Sequence, residues 1–324
     1  MTKLKILVAE PETCHKDYIN LLRSIGDVEV KKMSRQMLLK EIKNYDILII
    51  GVETRVDREV LDRAERLKII GSHTTGVDHI DLDSAQQKNV KVVTLREAPR
   101  EFLDNVTATA EHTMAIILSL IRKIPWAFDS VRKRKWQRSK FFGNQLSGKI
   151  LGIIGYGRLG AKVAKYALAF DMKVIAFDPY IDPEKMRNDK VLPVEFDYLL
   201  QNSDIISLHV KLTTETENMI SFDEFKKMVR KPLIVNTSRG RIINEDALLH
   251  ALENGFISGA AIDVLSAETV KANPLINNKL QRYACRNNNL LITPHLGGAT
   301  YESMRITGLY IGEKIKEIVQ KELY

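Results

Sequence analysis

Leu151-Gly152-Ile153-Ile154-Gly155-Tyr156-Gly157-Arg158-Leu159-Gly160 runs an apolar segment straight into three glycines spaced G-x-G-x-x-G. The apolar half has the length and residue types of a buried strand, and the residues after Gly157 open a helical pattern. Gly155 allows a tight turn, Gly157 lets the backbone approach a pyrophosphate, and Gly160 lets the helix lie close to the strand. The N–H groups and positive dipole end of that helix then face the phosphates. Working outward, a second apolar run, Lys173-Val174-Ile175-Ala176-Phe177, ends at Asp178. That acid comes at about the twenty-residue spacing expected of a carboxylate that meets the adenosine ribose. Strand, turn, helix and acid together predict the first half of a dinucleotide-binding unit. A lone glycine motif would be weak; its context here excludes most of the alternatives.

The chain around this stretch has 324 residues, 44% of them hydrophobic and 28% charged, which fits about two globular domains. It opens on the strand-like Leu4-Lys5-Ile6-Leu7-Val8-Ala9 with no leader pattern, and the apolar stretch from Thr113 to Ile121 is too short to span a bilayer. Cys14 and Cys285 lie far apart and show no metal-ligand spacing, so no metal and a cytoplasmic location are expected. The net charge is +8, with basic clusters at Arg122-Lys123, Arg132-Lys133-Arg134-Lys135 and Arg138-Ser139-Lys140. These read as a solvated helix face and loop rather than a nucleic-acid surface, and no nucleic-acid or membrane partner is expected.

The first hundred residues alternate strand signals (Lys5–Ala9, Val28–Val30, Asp46–Ile50, Leu67–Ile70, Val90–Val93) with helical patterns (Cys14–Ser24, Ser34–Asn44, Arg58–Arg66, Asp83–Lys88). That order predicts a parallel sheet covered by helices. Its first turn, Ala9-Glu10-Pro11-Glu12, lacks the glycine fingerprint, so this α/β domain has another job. A linking helix follows, capped by Asp104 or Thr107 and stopped by Pro125. Later strand signals fall at Ile205–His209, Leu233–Asn236, Gly259–Val264 and Leu290–Thr293. Residues 301–324 are helical in pattern, with Met304, Ile311, Ile315 and Ile318 on one stripe able to pack back on the first domain.

Three polar residues stand at or just beyond successive strand ends, where open α/β sheets bind ligands: Arg239, Glu268 and His295. Hydride transfer to a 2-oxo acid needs a cation for the carboxylate and carbonyl, and a proton donor for the developing alkoxide. Arg239 has the planar fork for the first task. His295 suits the second near neutral pH, and a carboxylate beside it would orient the ring and raise its pKa.

The chain resembles the D-isomer-specific 2-hydroxyacid dehydrogenase family over nearly its whole length. The resemblance rests on Gly76-Val77-Asp78-His79-Ile80-Asp81, Thr109-Ala110-Glu111-His112, Leu146-Ser147-Gly148-Lys149 and the glycine motif. It continues through Leu208-His209-Val210-Lys211-Leu212-Thr213, Asn236-Thr237-Ser238-Arg239-Gly240, Ala260-Ala261-Ile262-Asp263-Val264 and Thr293-Pro294-His295. It implies two doubly wound parallel-sheet domains, a Rossmann NAD-binding domain (105–298) inserted into a discontinuous flavodoxin-like substrate domain (1–104 and 299–324). It further implies a cleft active site whose closure excludes water, and a homodimer built through the nucleotide domain. By the same resemblance Arg239, Glu268 and His295 are catalytic. Gly155, Gly157, Arg158, Leu159, Gly160, Asp178, His209, Thr237, Ser238, Asp263, Gly297 and Gly298 contact the cofactor, with Asp263 holding the nicotinamide carboxamide. Backbone N–H groups at Thr74, Thr75 and Gly76 hold the substrate carboxylate. Three positions depart from the family pattern: Lys211 and Thr269 where proline is common, and His79 for a frequent asparagine.

Asp178, followed by Pro179-Tyr180 and no arginine, favours NAD over NADP, because a carboxylate repels a 2′-phosphate. The loop Gly71-Ser72-His73-Thr74-Thr75-Gly76 contains no arginine, which favours a small 2-oxo acid with an uncharged side group over a phosphorylated one. Arg96, Arg100 and Phe102 are candidates to shape the pocket. The alternatives are a dinucleotide-sensing regulator on the same fold and a dehydrogenase of another small anion such as formate or phosphite. The complete candidate triad disfavours the first, and the Glu268–His295 pair disfavours formate oxidation.

Overall fold

The structure, a computed structural model, describes residues 3–268 and 273–322, so Thr269 lies outside the described residues. The chain divides into two compact units, Met1–Val106 with Gly298–Tyr324, and Thr107–Gly297.

In the smaller unit, strands β1 (Leu4–Val8), β2 (Gly26–Val30), β3 (Ile47–Ile50), β4 (Ile69–Ser72) and β5 (Lys91–Val93) form one parallel sheet in the order β2-β1-β3-β4-β5. β3 and β4 are buried at every residue, as expected of strands covered on both faces. Side-chain caps start the covering helices: Ser34 accepts from Met37 N–H ahead of Arg35–Glu41, and Asp81 from Ser84 N–H ahead of Leu82–Gln87. The C-terminal helix Tyr301–Glu322 joins this unit, burying Ile311, Ile315 and Val319 against Ile6, Val8, Ile47, Ile49 and Ile69. Its buried face runs along Ser303, Thr307, Ile311, Ile315 and Val319, a row of fourfold spacing. Met304 and Ile318 flank that row, so the apolar stripe read from the sequence is rotated slightly toward the small polar residues.

In the larger unit, β6 (Ile150–Ile154), β7 (Lys173–Phe177), β8 (Leu192–Pro193), β9 (Ile205–Leu208), β10 (Leu233–Asn236), β11 (Gly259–Ile262) and β12 (Leu290–Ile292) form a parallel sheet in the order β12-β11-β10-β9-β6-β7-β8. Alternate residues feed two cores. Ile154, Ile206, Ile234 and Ile262 pack on one face, and Ile153, Ile205, Val235 and Ala261 on the other. The strand order reverses direction between β6 and β9, which is where such sheets bind ligands beyond their carboxyl ends.

Two sequence expectations are corrected here. The helix Ala108–Ile121 lies wholly inside the larger unit, packed on β10, β11 and the helix Arg158–Ala169, rather than linking the units. Pro125 does not stop it: the break falls at Lys123, whose φ of 55° is left-handed, and Pro125 sits in the first turn of a new helix, Ile124–Arg132. Proline lacks only a donor that the first helical turn leaves unpaired anyway. The edge strand β8 has two residues, too few to leave a pattern in the sequence.

Candidate active site

β6 delivers the chain into the glycine turn. Gly155 takes a φ of +92°, and a Cβ there would lie 2.8 Å from the His209 carbonyl carbon. A Cβ on Gly160 would come 2.1 Å from the Gly155 carbonyl oxygen, so the helix Arg158–Ala169 lies on the turn only because that side chain is absent. Gly157 differs: a Cβ there meets open space in front of the first helical N–H groups. That space, at the helix start, fits a dinucleotide pyrophosphate. Arg158 and Leu159 open the helix itself.

Asp178 does more than the sequence suggests. Its Oδ2 accepts from Tyr156 N–H at 2.7 Å and its Oδ1 from Tyr180 N–H at 3.0 Å, so the carboxylate ties the end of β7 to the glycine turn. The Tyr156 hydroxyl donates to Asp189 Oδ2 at 3.0 Å, anchoring the same turn from below. His209, just past β9, lies 2.8 Å from Ser207 Oγ through its Nε2, and burial pulls its pKa down to about 4, so it is neutral at physiological pH. At the end of β10, Ser238 Oγ donates to the Leu208 carbonyl at 2.6 Å and Thr237 Oγ1 lies 2.9 Å from Thr113 Oγ1.

Arg239, Glu268 and His295 converge at the ends of β10, β11 and β12. The Asn236 side chain shapes the Arg239 turn, accepting from Ser238 N–H at 3.0 Å and donating to the Arg239 carbonyl at 2.9 Å. Gly240 lets that turn press on the next segment, since a Cβ would meet the Leu265 carbonyl carbon at 2.1 Å. The 265–268 segment is held in turn: Glu245 accepts from Ser266 N–H at 2.7 Å, and Glu268 Oε2 accepts from Leu265 N–H at 3.3 Å. Glu268 Oε1 then lies 3.2 Å from His295 Nδ1, with both side chains largely covered. Burial works against charge on His295, but the Glu268 hydrogen bond and charge outweigh it, and the imidazole pKa is raised despite the opposing charge of Arg239. With Nδ1 committed to Glu268, Nε2 is the nitrogen left to exchange a proton with a ligand.

Asp263 is almost wholly buried. Its Oδ1 accepts from Leu296 N–H at 2.8 Å and from the Thr293 hydroxyl, and its Oδ2 accepts from Gly297 N–H at 2.7 Å. His112 Nε2 approaches Oδ1 at 3.2 Å. Burial pushes this carboxyl up, but the donors from His112, Thr293 and Leu296 bring it below the ordinary value, so it stays ionised. His112 stands in the Thr109–His112 stretch, which by itself points to no task for it. Its sequence distance from Asp263 conceals the contact.

In the smaller unit, the candidate carboxylate loop is internally tied. Thr74 Oγ1 donates to the Gly76 carbonyl at 2.7 Å and lies 2.9 Å from Ser72 Oγ, and Thr75 is exposed. His73 has a buried Nδ1 without a hydrogen-bond partner, and burial holds its pKa down at about 4. Among the described residues no cluster of His, Cys, Asp and Glu could hold a metal ion, and no helix is long and apolar enough to cross a membrane.

A doubly wound parallel sheet with this turn at its switch point defines a dinucleotide-binding protein. The chain belongs to the D-isomer-specific 2-hydroxyacid dehydrogenases: the family model for their NAD-binding domain matches residues 114–297, so the larger unit is an NAD-binding domain. Hydroxypyruvate reductase of Thermotoga maritima is 34% identical, covering 97% of this chain and 98% of that protein. D-3-phosphoglycerate dehydrogenase of Archaeoglobus fulgidus is 41% identical over 96% of this chain but 56% of its own length. The chain thus spans about half of the phosphoglycerate dehydrogenases it matches. The structure of D-lactate dehydrogenase from Aquifex aeolicus, complexed with NAD and lactic acid, superposes with a TM-score of 0.81 at 29% identity, covering 98% of this chain and 97% of that one.

Proposed function

We propose that this protein transfers a hydride between NAD and carbon 2 of a small D-2-hydroxy or 2-oxo acid. The observation that carries the reading is His295 Nδ1 at 3.2 Å from Glu268 Oε1, with the Arg239 charge acting on the same imidazole. Bound NADH supplies the hydride. In the reductive direction Arg239 holds the carboxylate and polarises the carbonyl of the oxo acid. His295, protonated and oriented by Glu268, gives its Nε2 proton to the developing alkoxide and is left neutral. Oxidation runs the same steps backward, with neutral His295 as the base. The Gly155–Gly160 turn receives the pyrophosphate, Asp178 the adenosine ribose, and His209, Thr237, Ser238, Gly297 and Gly298 the rest of the cofactor. Thr74, Thr75 and Gly76 hold the substrate carboxylate.

The substrate reading is an oxo acid with an uncharged side group. The 71–76 loop carries no arginine or lysine, and its His73 is neutral. Hydroxypyruvate, glyoxylate and pyruvate meet this description better than a phosphorylated acid. We further propose a homodimer through the nucleotide unit. Trp136 and Phe142, 89% and 66% exposed, share one surface pocket with Arg122, Lys135 and Arg138, and a second copy would cover that apolar surface.

NADH oxidation across a panel of 2-oxo acids tests the function, beside Arg239→Ala and His295→Ala. Turnover is expected in the wild type and reduced to a small residual rate in both variants, with NADH binding retained. NADH binding without turnover on any oxo acid would point to a sensor, and turnover unchanged in both variants would refute the assigned roles.

A further inference from the structure

His295 stands on a turn that needs external support. Its φ is 54°, in the left-handed region that a residue with a Cβ rarely adopts. The support comes from Asp263 twice over. The Asp263 carbonyl accepts from His295 N–H at 2.8 Å, while its carboxylate receives the next two amides, Leu296 and Gly297, at 2.8 and 2.7 Å. Three consecutive N–H groups around the catalytic imidazole therefore end on one residue. A buried carboxylate holds such a set only while its remaining lone pairs are also satisfied. Thr293 Oγ1 and His112 Nε2 complete it, and Thr293 Oγ1 lies 3.3 Å from the same His112 nitrogen. His112 reaches this place from the helix Ala108–Ile121, a rigid element packed on β10 and β11. The other carboxylate contacts come from the end of β12 and the turn beyond it.

We propose that His112 is a positioning residue for the reaction: through Asp263 it locks the turn that aims His295 at the substrate and keeps Nδ1 on Glu268. The inference rests on His295 being the proton donor. It assigns His112 no contact with substrate or cofactor, and it gives Asp263 a task in the turn besides any contact with the nicotinamide. With His112 removed, Asp263 loses one of its donors. The turn then relaxes from its left-handed conformation, and the Glu268–His295 geometry loosens.

The test uses the intact chain, with His112→Ala and His112→Gln alone and His112→Ala combined with His295→Ala. A misplacement of about an ångström costs about a hundredfold in rate, so His112→Ala is expected to lower kcat between about tenfold and a hundredfold. The dissociation constant for NADH, read by fluorescence titration, is expected to rise by less than kcat falls, since the glycine turn is untouched and only the Gly297 end of the cofactor site belongs to the relaxing turn. Glutamine keeps an N–H donor at similar reach and is expected to restore most of the rate. Because the effect passes through His295, His112→Ala is expected to cost nothing further in the His295→Ala background. A readout independent of turnover is the His295 imidazole titration by NMR, which His112→Ala is expected to move down by about half a unit or more. An unmoved His295 titration would overturn the proposal even if no oxo acid were turned over. Full activity of His112→Ala, or an equal further loss in the His295→Ala background, would also overturn it. Loss of all turnover in the wild type with a shifted titration would instead overturn the assigned reaction and leave the brace standing.

Discussion

Replacing Glu268 with glutamine removes one charge from the pair at 3.2 Å while keeping the shape and a hydrogen-bonding group. Four influences act on His295: burial pulls its pKa down, Glu268 pulls it up, the Arg239 charge pulls it down and the Asp263 charge pulls it up. With Glu268 neutral, burial and the Arg239 charge outweigh the smaller upward pull of Asp263, and the imidazole falls below the ordinary histidine value. An opposite charge at this range is worth about one to three pKa units. Reduction needs protonated His295. At about pH 7.5 a histidine at or below its ordinary value of about 6.5 is protonated less than about one time in ten. The variant is therefore expected to reduce oxo acids at about a tenth or less of the wild-type kcat/KM at that pH, and to recover most of the difference at about pH 5.5. The assay is the initial rate of NADH oxidation at subsaturating oxo acid from about pH 5 to 9, fitted for the alkaline limb. That limb moves to lower pH in the variant. If the two limbs coincide, Glu268 does not set the protonation of His295 and the reasoning fails.

The glycines separate fold from ligand. Gly160→Ala places a Cβ 2.1 Å from the Gly155 carbonyl and is expected to destabilise the larger unit by about 2 kcal/mol or more, read by urea unfolding. Gly157→Ala meets open space, so its unfolding midpoint should match wild type while NADH affinity falls about tenfold or more as the methyl enters the pyrophosphate path. Asp178→Asn keeps an acceptor for Tyr156 N–H but drops the charge, and the ratio of NADPH to NADH affinity is expected to rise by about tenfold; an unchanged ratio would show that Asp178 serves only the turn. His73 and His209 have folded pKa values of about 4 against an ordinary 6.5, so between these limits the unfolded chain binds more protons and stability rises with pH. Each contributes up to about 3 kcal/mol above the ordinary value, lost as pH falls toward about 4, and His209→Gln should flatten that slope in urea midpoints.

Much of this architecture was legible because it is local. A glycine at +92° and another with no room for a Cβ are requirements that only glycine meets, so Gly155 and Gly160 announce the turn at fixed spacing. Buried parallel strands write themselves as apolar runs, and the run Lys173–Phe177 coincides with β7. Legibility failed where the local signal was short or ambiguous. The two-residue β8 leaves no period, and Pro125 reads equally as a helix stop or a helix start. The polar row on the C-terminal helix was hidden because Ser303 and Thr307 are buried by their neighbours, not by their own chemistry.

The candidate site divides the same way. The sequence by itself placed Arg239, Glu268 and His295 after successive strands, because in a parallel sheet all carboxyl ends share one edge and chain order predicts which loops meet there. Only the tertiary structure decided how those groups act on one another. Glu268 meets Nδ1 from the 265–268 segment, against which the Arg239 turn lies closely at Gly240. The link from His112 through Asp263 to the His295 turn joins residues of three distant elements. Spacing along a chain encodes contacts within a turn or a strand. A buried carboxylate gathers its donors from whatever elements the packed core brings within about 3 Å, and nothing in the sequence records that distance.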